Sequence, residues 1–174
     1  MQVSIEAQSV IQRIMNELST ALREPNKKEE IEEIRKVCRK GEIVNVKPTR
    51  VDVWLENEDE IYMFDLKTAK PNINEFKGFK KTLLEWVAVY LYQYPDKIIH
   101  TGLAIPYNPY EPEPYQRWTM QGMFDRDEIL VAEHWWDFLG GSNTYEELLD
   151  CFEAAGISLR SKIDAYFNKF NNSN

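Results

Sequence analysis

The sequence predicts an α/β fold, with a small mixed sheet flanked by helices and a helical C-terminal part. Three observations carry this. First, 174 residues, 43% of them hydrophobic, can build one sizeable core but not two comfortable domains. Second, the apolar spacing changes from three-and-four to two near residue 43 and changes back near residue 75. Third, Pro25, Gly41, Pro71 and Pro95 stand where those changes fall, as punctuation between elements should.

Residues 3–23 place Val3, Ala7, Val10, Ile11, Ile14, Met15, Leu18, Ala21 and Leu22 on one helical face, and Pro25 ends the run. Asn26 with Glu29 three residues on is an N-cap signal for a second helix through Ile31, Ile34, Val37 and Cys38, closed by Gly41. Ile43, Val44 and Val46 suggest a short strand. Residues 50–56 and 60–67 alternate and are rich in β-branched and aromatic residues, and Asn57-Glu58-Asp59 between them reads as a hairpin turn. Asn74 can cap a long helix over 75–93, with Phe76, Phe79, Leu83, Trp86, Val87 and Tyr90 on one side. Residues 97–105 read as a strand buried on both faces, and the proline-rich run 106–116 as a loop. Residues 129–132 fit either a strand or a helix. Thr144 with Glu147 suggests a capping box for a helix closed by Gly156, and a last helix spans about 158–170. The whole is expected to be a single domain over 1–174, with its core at about 26–140 and a helical part at about 143–170.

Composition excludes several classes. No apolar run approaches the roughly 18–20 residues of a membrane span. The N-terminus lacks the pattern of a signal peptide. Cys38 and Cys151 are far apart, which speaks for reduced thiols in a cytoplasmic protein and against a disulfide scaffold. The net charge of −8 does not exclude a polyanionic partner, because it is uneven. Residues 111–153 carry eleven acids against Arg117 and Arg126, whereas residues 67–81 carry five lysines against Glu75. The local field decides where a polyanion docks. There is no glycine-rich phosphate loop and no nucleophilic Ser/His or Cys/His arrangement. His100 and His134 read as structural, and Trp135 and Trp136 as core or dimer interface.

The chemistry-bearing residues lie on the hairpin. Folded symmetrically about Glu58 and Asp59, it sets Asp52 opposite Asp65, with Lys67 on the same face. Opposed carboxylates repel, and each raises the pKa of the other. A hard divalent cation removes that conflict, and a lysine beside it can orient a water. The competing reading is a solvent-facing cluster bridged by Lys67 and worth little.

Asp52, a dozen residues, then Asp65-Leu66-Lys67 resembles the PD-(D/E)XK nuclease pattern, and the element order resembles that superfamily's restriction-endonuclease-like αβββαβ core. Val51 stands where the motif's name has proline. The longer string FDLKTAKPNINEFKGFKKTLLEW (64–86) is similar to the TdeIII-type type II restriction endonucleases. The resemblance implies Mg²⁺-dependent cleavage of double-stranded DNA at a short specific sequence, GGNCC-like in some enzymes of that family. It also implies a homodimer, and a cognate DNA methyltransferase in the same cell. Asp52, Asp65 and the Leu66 carbonyl would ligate the metal, and Lys67 would handle the attacking water. Lys70, Lys77 and Lys80 would meet phosphates. Such enzymes often draw a further acid from the helix before the sheet. Helical phase turns Glu30 into the buried sector and Glu33 to its edge, so Glu30 is the candidate, against a simple ion pair with a lysine such as Lys27. Two alternatives remain at this level: a repair or structure-selective nuclease of the same fold, and a non-catalytic DNA-binding module.

Overall fold

A computed structural model describes residues 1–47, 49–69, 75–116 and 122–171, the side chains of 169–171 excepted. It is a mixed α/β structure whose elements run β1 (Gln2–Ser4), α1 (Ile5–Ser19), α2 (Lys27–Arg35), β2 (Ile43–Asn45), β3 (Val53–Glu56), β4 (Glu60–Leu66), α3 (Phe76–Gln93), β5 (Ile98–Ile105), β6 (Ile129–Val131), α4 (Glu133–Gly140) and α5 (Thr144–Asn171). They fall into two compact units, Met1–Val131 and Ala132–Asn174.

In the first unit a four-stranded sheet runs in the order β3-β4-β5-β6. The β3–β4 hairpin is antiparallel, with Val53 opposite Phe64 and Glu56 opposite Ile61. Asn57 closes its turn: its side chain accepts from the Asp59 and Glu60 amides at 2.9 and 2.8 Å. β5 joins β4 in parallel, placing Leu103 beside Asp65, and β6 joins β5 in parallel. The parallel strand β5 is buried over most of its length, as a strand covered on both faces must be. At Gly102 a Cβ would stand 2.9 Å from the Glu128 carbonyl oxygen and 3.1 Å from the Phe64 ring, so only glycine lets these groups close in.

The core packs one face of β4 (Ile61, Met63) and Ile99 and Leu103 of β5 against α1 (Ile11, Ile14, Leu18), α2 (Ile34) and α3 (Leu83, Leu84, Val87, Leu91). Asp65 follows Ile61 and Met63 on that face, so the strand delivers it at the end of the buried surface.

Several expectations change, and one left open is settled. Val3 is not helical: Gln2–Ser4 pairs with Ile43–Asn45 as a separate two-stranded sheet, so that neither strand joins the main one. Ser4 then caps α1, its Oγ accepting from the Ala7 amide at 3.0 Å. Residues 129–131 resolve as a strand. The two C-terminal helices are one, α5, which runs through Gly156, and its start is held by Asp137, whose carboxylate accepts from the Asn143 and Tyr145 amides rather than by a Thr144–Glu147 box. The Asn26 cap is as expected, accepting from the Glu29 amide at 3.1 Å. Asn74 lies outside the described residues.

In the second unit, Trp135 is buried and stacks on Phe138 with ring centroids 6.2 Å apart. Among the described residues no helix is long and apolar enough to cross a membrane.

Candidate active site

The hairpin builds the site. The Asp52 amide donates to the Phe64 carbonyl at 3.2 Å, which extends the ladder one residue beyond β3 and puts Asp52 beside Asp65. The Leu66 amide donates to Asp52 Oδ2 at 3.1 Å, so the end of β4 itself orients this carboxylate. The Lys67 amide donates to the Ala104 carbonyl at 2.9 Å, so β5 fixes the backbone at the third member. Its Nζ lies 2.7 Å from Asp65 Oδ2 and 4.2 Å above the Phe79 ring. The exposed Arg50 completes the cluster, with Nε 3.4 Å from Asp52 Oδ1.

Electrostatically this is a carboxylate pair under tension. Burial pushes the Asp65 carboxyl above its ordinary range, Lys67 opposes that by hydrogen bond and charge, and Asp52 adds to the rise by both. Such oxygens suit a hard divalent cation, for which one or two carboxylates with water and substrate phosphate are an ordinary ligand set. Among the described residues no third His, Cys, Asp or Glu joins the two aspartates.

Two candidates sit elsewhere. Glu30 is fully buried, as its helical phase requires, but its Oε2 is 2.6 Å from Lys80 Nζ. Lys80 is also fully buried, and lies 2.6 Å from Glu128 Oε2; Lys27 Nζ stands 2.9 Å from Glu128 Oε1. Glu30 is thus an ion-pair partner, of Lys80 rather than Lys27, and Lys80 cannot present its ammonium to a phosphate from this position. The physical reason is its phase on α3: Lys80 falls within the apolar face, and burial there demands counter-charges. Burial lowers the pKa of Lys27 against the pull of Glu128; it would raise that of Glu128, but the two lysines hold this carboxyl below its usual range. Glu33 sits at the helix edge and binds Arg13 at 2.5 Å and Arg23 at 2.7 Å. Lys77 is exposed in the first turn of α3. Lys70 lies outside the described residues.

The sequence carries no local signal that marks Arg50 or Phe79 as a site residue. Phe79 stands in the lysine-rich string and reads as one more apolar helix position. Only the approach of α3 to the end of β4 reveals its second role. Glu128 reads locally as the last residue of a capped turn, and its side chain does accept from the Asp125 amide at 2.8 Å.

The comparisons bear on what this constellation belongs to. The chain is similar to the type II restriction enzyme MjaII of Methanocaldococcus jannaschii, 32% identical over 174 residues, covering 92% of this chain and 47% of that enzyme. It is also similar to the type II restriction enzyme HgiCII of Herpetosiphon aurantiacus, 26% identical over 144 residues, covering 80% of this chain and 51% of that one. The chain therefore spans about half the length of the curated relatives it matches. No solved structure matches. The family model for "Type II restriction endonuclease, HinfI" matches residues 1–156, nearly the whole chain and the entire Asp52–Asp65–Lys67 hairpin with it. This protein belongs to the HinfI-type family of type II restriction endonucleases.

Proposed function

We propose that the chain carries the catalytic centre of a Mg²⁺-dependent, site-specific endonuclease that hydrolyses phosphodiester bonds of double-stranded DNA, built on a PD-(D/E)XK site. The observation that carries this is the convergence of Asp52, Asp65 and Lys67 where β3, β4 and β5 meet, with Lys67 Nζ 2.7 Å from Asp65. Asp52, Asp65 and the Leu66 carbonyl are the groups that would hold the metal. A divalent cation there supplies Lewis-acid polarisation of a phosphoryl oxygen and a more acidic attacking water. Lys67 orients that water and stabilises the negative charge building on the phosphoryl group. The water oxygen bonds to phosphorus, one P–O ester bond breaks, and the displaced oxygen takes up a proton. Lys77 in the first turn of α3 and Lys70 before it serve as phosphate contacts, aided by the helix N-terminus. The buried Glu30–Lys80 pair belongs to the scaffold in this reading.

The TdeIII-type likeness of residues 64–86 refines the proposal to a short GGNCC-like target, a homodimer matching the symmetry of that target, and a cognate methyltransferase that protects host DNA. Digestion of a sequenced plasmid with Mg²⁺, followed by mapping of the ends, tests it. Discrete fragments ending at one short sequence are expected. A smear would replace the reading with a non-specific or repair nuclease, and intact plasmid with a binding module. Asp65→Ala and Lys67→Ala should each abolish cleavage while DNA binding persists. Near-normal cutting by either variant would overturn the site assignment.

A further inference from the structure

α5 is a 28-residue helix, about 42 Å long, and every residue from 149 to 168 is exposed. Its apolar residues are not scattered. Leu149, Phe152, Gly156, Leu159, Ile163 and Tyr166 follow each other at alternating steps of three and four, the a/d seam of a heptad repeat, which with Tyr145 before it extends over three heptads. Leu149 is 45% exposed, Phe152 66%, Leu159 43% and Ile163 45%. A helix exposed along this length, with a glycine in its middle, is marginal alone in water, and most helical stability comes from a covered apolar face.

The charges distinguish the ways in which a second copy could cover it. The first half holds Glu146, Glu147, Asp150 and Glu153; the second holds Arg160 and Lys162 against Asp164, and the sequence continues to Lys169. Two copies laid parallel would set acid on acid and base on base. Laid antiparallel, each acidic half meets a basic half. In the register that stacks Phe152 on the partner's Ile163, and Gly156 on the partner's Leu159, Glu153 flanks the partner's Arg160 twice by symmetry. The register also accounts for Gly156. A Cβ added there would meet nothing within 4 Å in the protomer, so nothing inside one copy calls for glycine, whereas a crossing Leu159 needs that space.

We infer that α5 is the self-association surface of this protein, pairing with a second copy as an antiparallel coiled coil through Leu149, Phe152, Leu159 and Ile163. This deepens the homodimer reading and is independent of the nuclease chemistry.

Sedimentation velocity tests it. The unaltered chain should run as a dimer at micromolar concentration. Ile163→Glu should weaken association at least tenfold, while Ile157→Glu, an exposed residue outside the seam, should leave the dimer intact. Glu153→Arg and Arg160→Glu should each weaken it, and the double variant should restore it. In a Cys151→Ser background, mild oxidation of mixed Phe152→Cys and Ile163→Cys chains should yield the mixed disulfide in excess of either self-disulfide. A monomeric unaltered chain would overturn both this inference and the homodimer reading. A dimer unaffected by Ile163→Glu would overturn the α5 assignment alone. Excess self-disulfides would establish a parallel pair and overturn the antiparallel arrangement.

Discussion

Lys67 and Lys80 lie thirteen positions apart in one lysine-rich stretch, and the fold gives them opposite tasks. Lys67 keeps 22% of its side chain in water and faces a single carboxylate, whereas Lys80 has none in water and faces two. Removing Lys80 leaves Glu30 and Glu128 sharing a buried site with only Lys27 to offset them. Lys80→Met is therefore expected to cost about 3–5 kcal/mol in a denaturant titration, against about 0.5 kcal/mol or less for Lys77→Ala. Equal, small effects would mean that the buried network is not what holds α2, α3 and the turn before β6 together. At the site itself the Phe79 ring lies under the Lys67 ammonium. Such a contact contributes about 0.5–2 kcal/mol. Phe79→Leu should then slow single-turnover cleavage by up to about tenfold, and Phe79→Tyr should restore most of it. At this scale the sequence was legible where neighbours are local. Strand alternation and a short turn place Asp52 opposite Asp65. It was not legible where the partner is remote: Glu128 lies 48 residues from Lys80, and no spacing rule links them.

At the scale of elements, what mattered was whether a segment was long enough to show its period. α2, α3 and the β3–β4 hairpin showed theirs and stand nearly where the pattern put them. Three-residue strands cannot alternate visibly, so the pattern does not separate β1 from the helix that follows it or tell which sheet β2 joins. Gly156 misled in the other direction: mid-helix glycine costs about 1 kcal/mol, which reads as a break but need not make one. The joint between α1 and α2 depends on Glu33. Burial pushes its carboxyl up, but Arg23 and Arg13 overcome this and hold it below the ordinary range. A depressed carboxyl stabilises the fold at neutral pH, and that stabilisation is lost as pH falls through the acid range where Glu33 protonates. Glu33→Gln should thus lower stability by about 1 kcal/mol at pH 7, the gap narrowing towards zero as pH falls below the normal carboxylate range. Urea titrations of both proteins across that range check it; a gap that widens on acidification would contradict the sign.

Over the whole molecule, the proposed function asks an acidic chain of net charge −8 to bind a polyanion against its own average field. It can do so only if its cations act locally, and the fold narrows which ones. Of the lysines following the Asp52–Asp65 hairpin, Lys80 is withdrawn into the core and Lys81 stands 3.6 Å from Glu85, while Lys77 stays exposed in the first turn of α3, the helix whose Phe79 meets Lys67. Each phosphate contact releases counterions, so binding should weaken steeply with salt, with a slope that counts the contacts. Lys77→Ala should weaken binding on cognate and non-cognate duplexes alike and flatten the slope by up to about one unit. Lys81→Ala, which removes a cation already engaged on its own helix, should change the slope by much less. Filter-binding titrations over a range of KCl, made with Ca²⁺ in place of Mg²⁺ to prevent cutting, measure both slopes. If the two variants flatten the slope equally, diffuse charge rather than a placed contact holds the duplex, and the assignment of Lys77 as a phosphate contact falls.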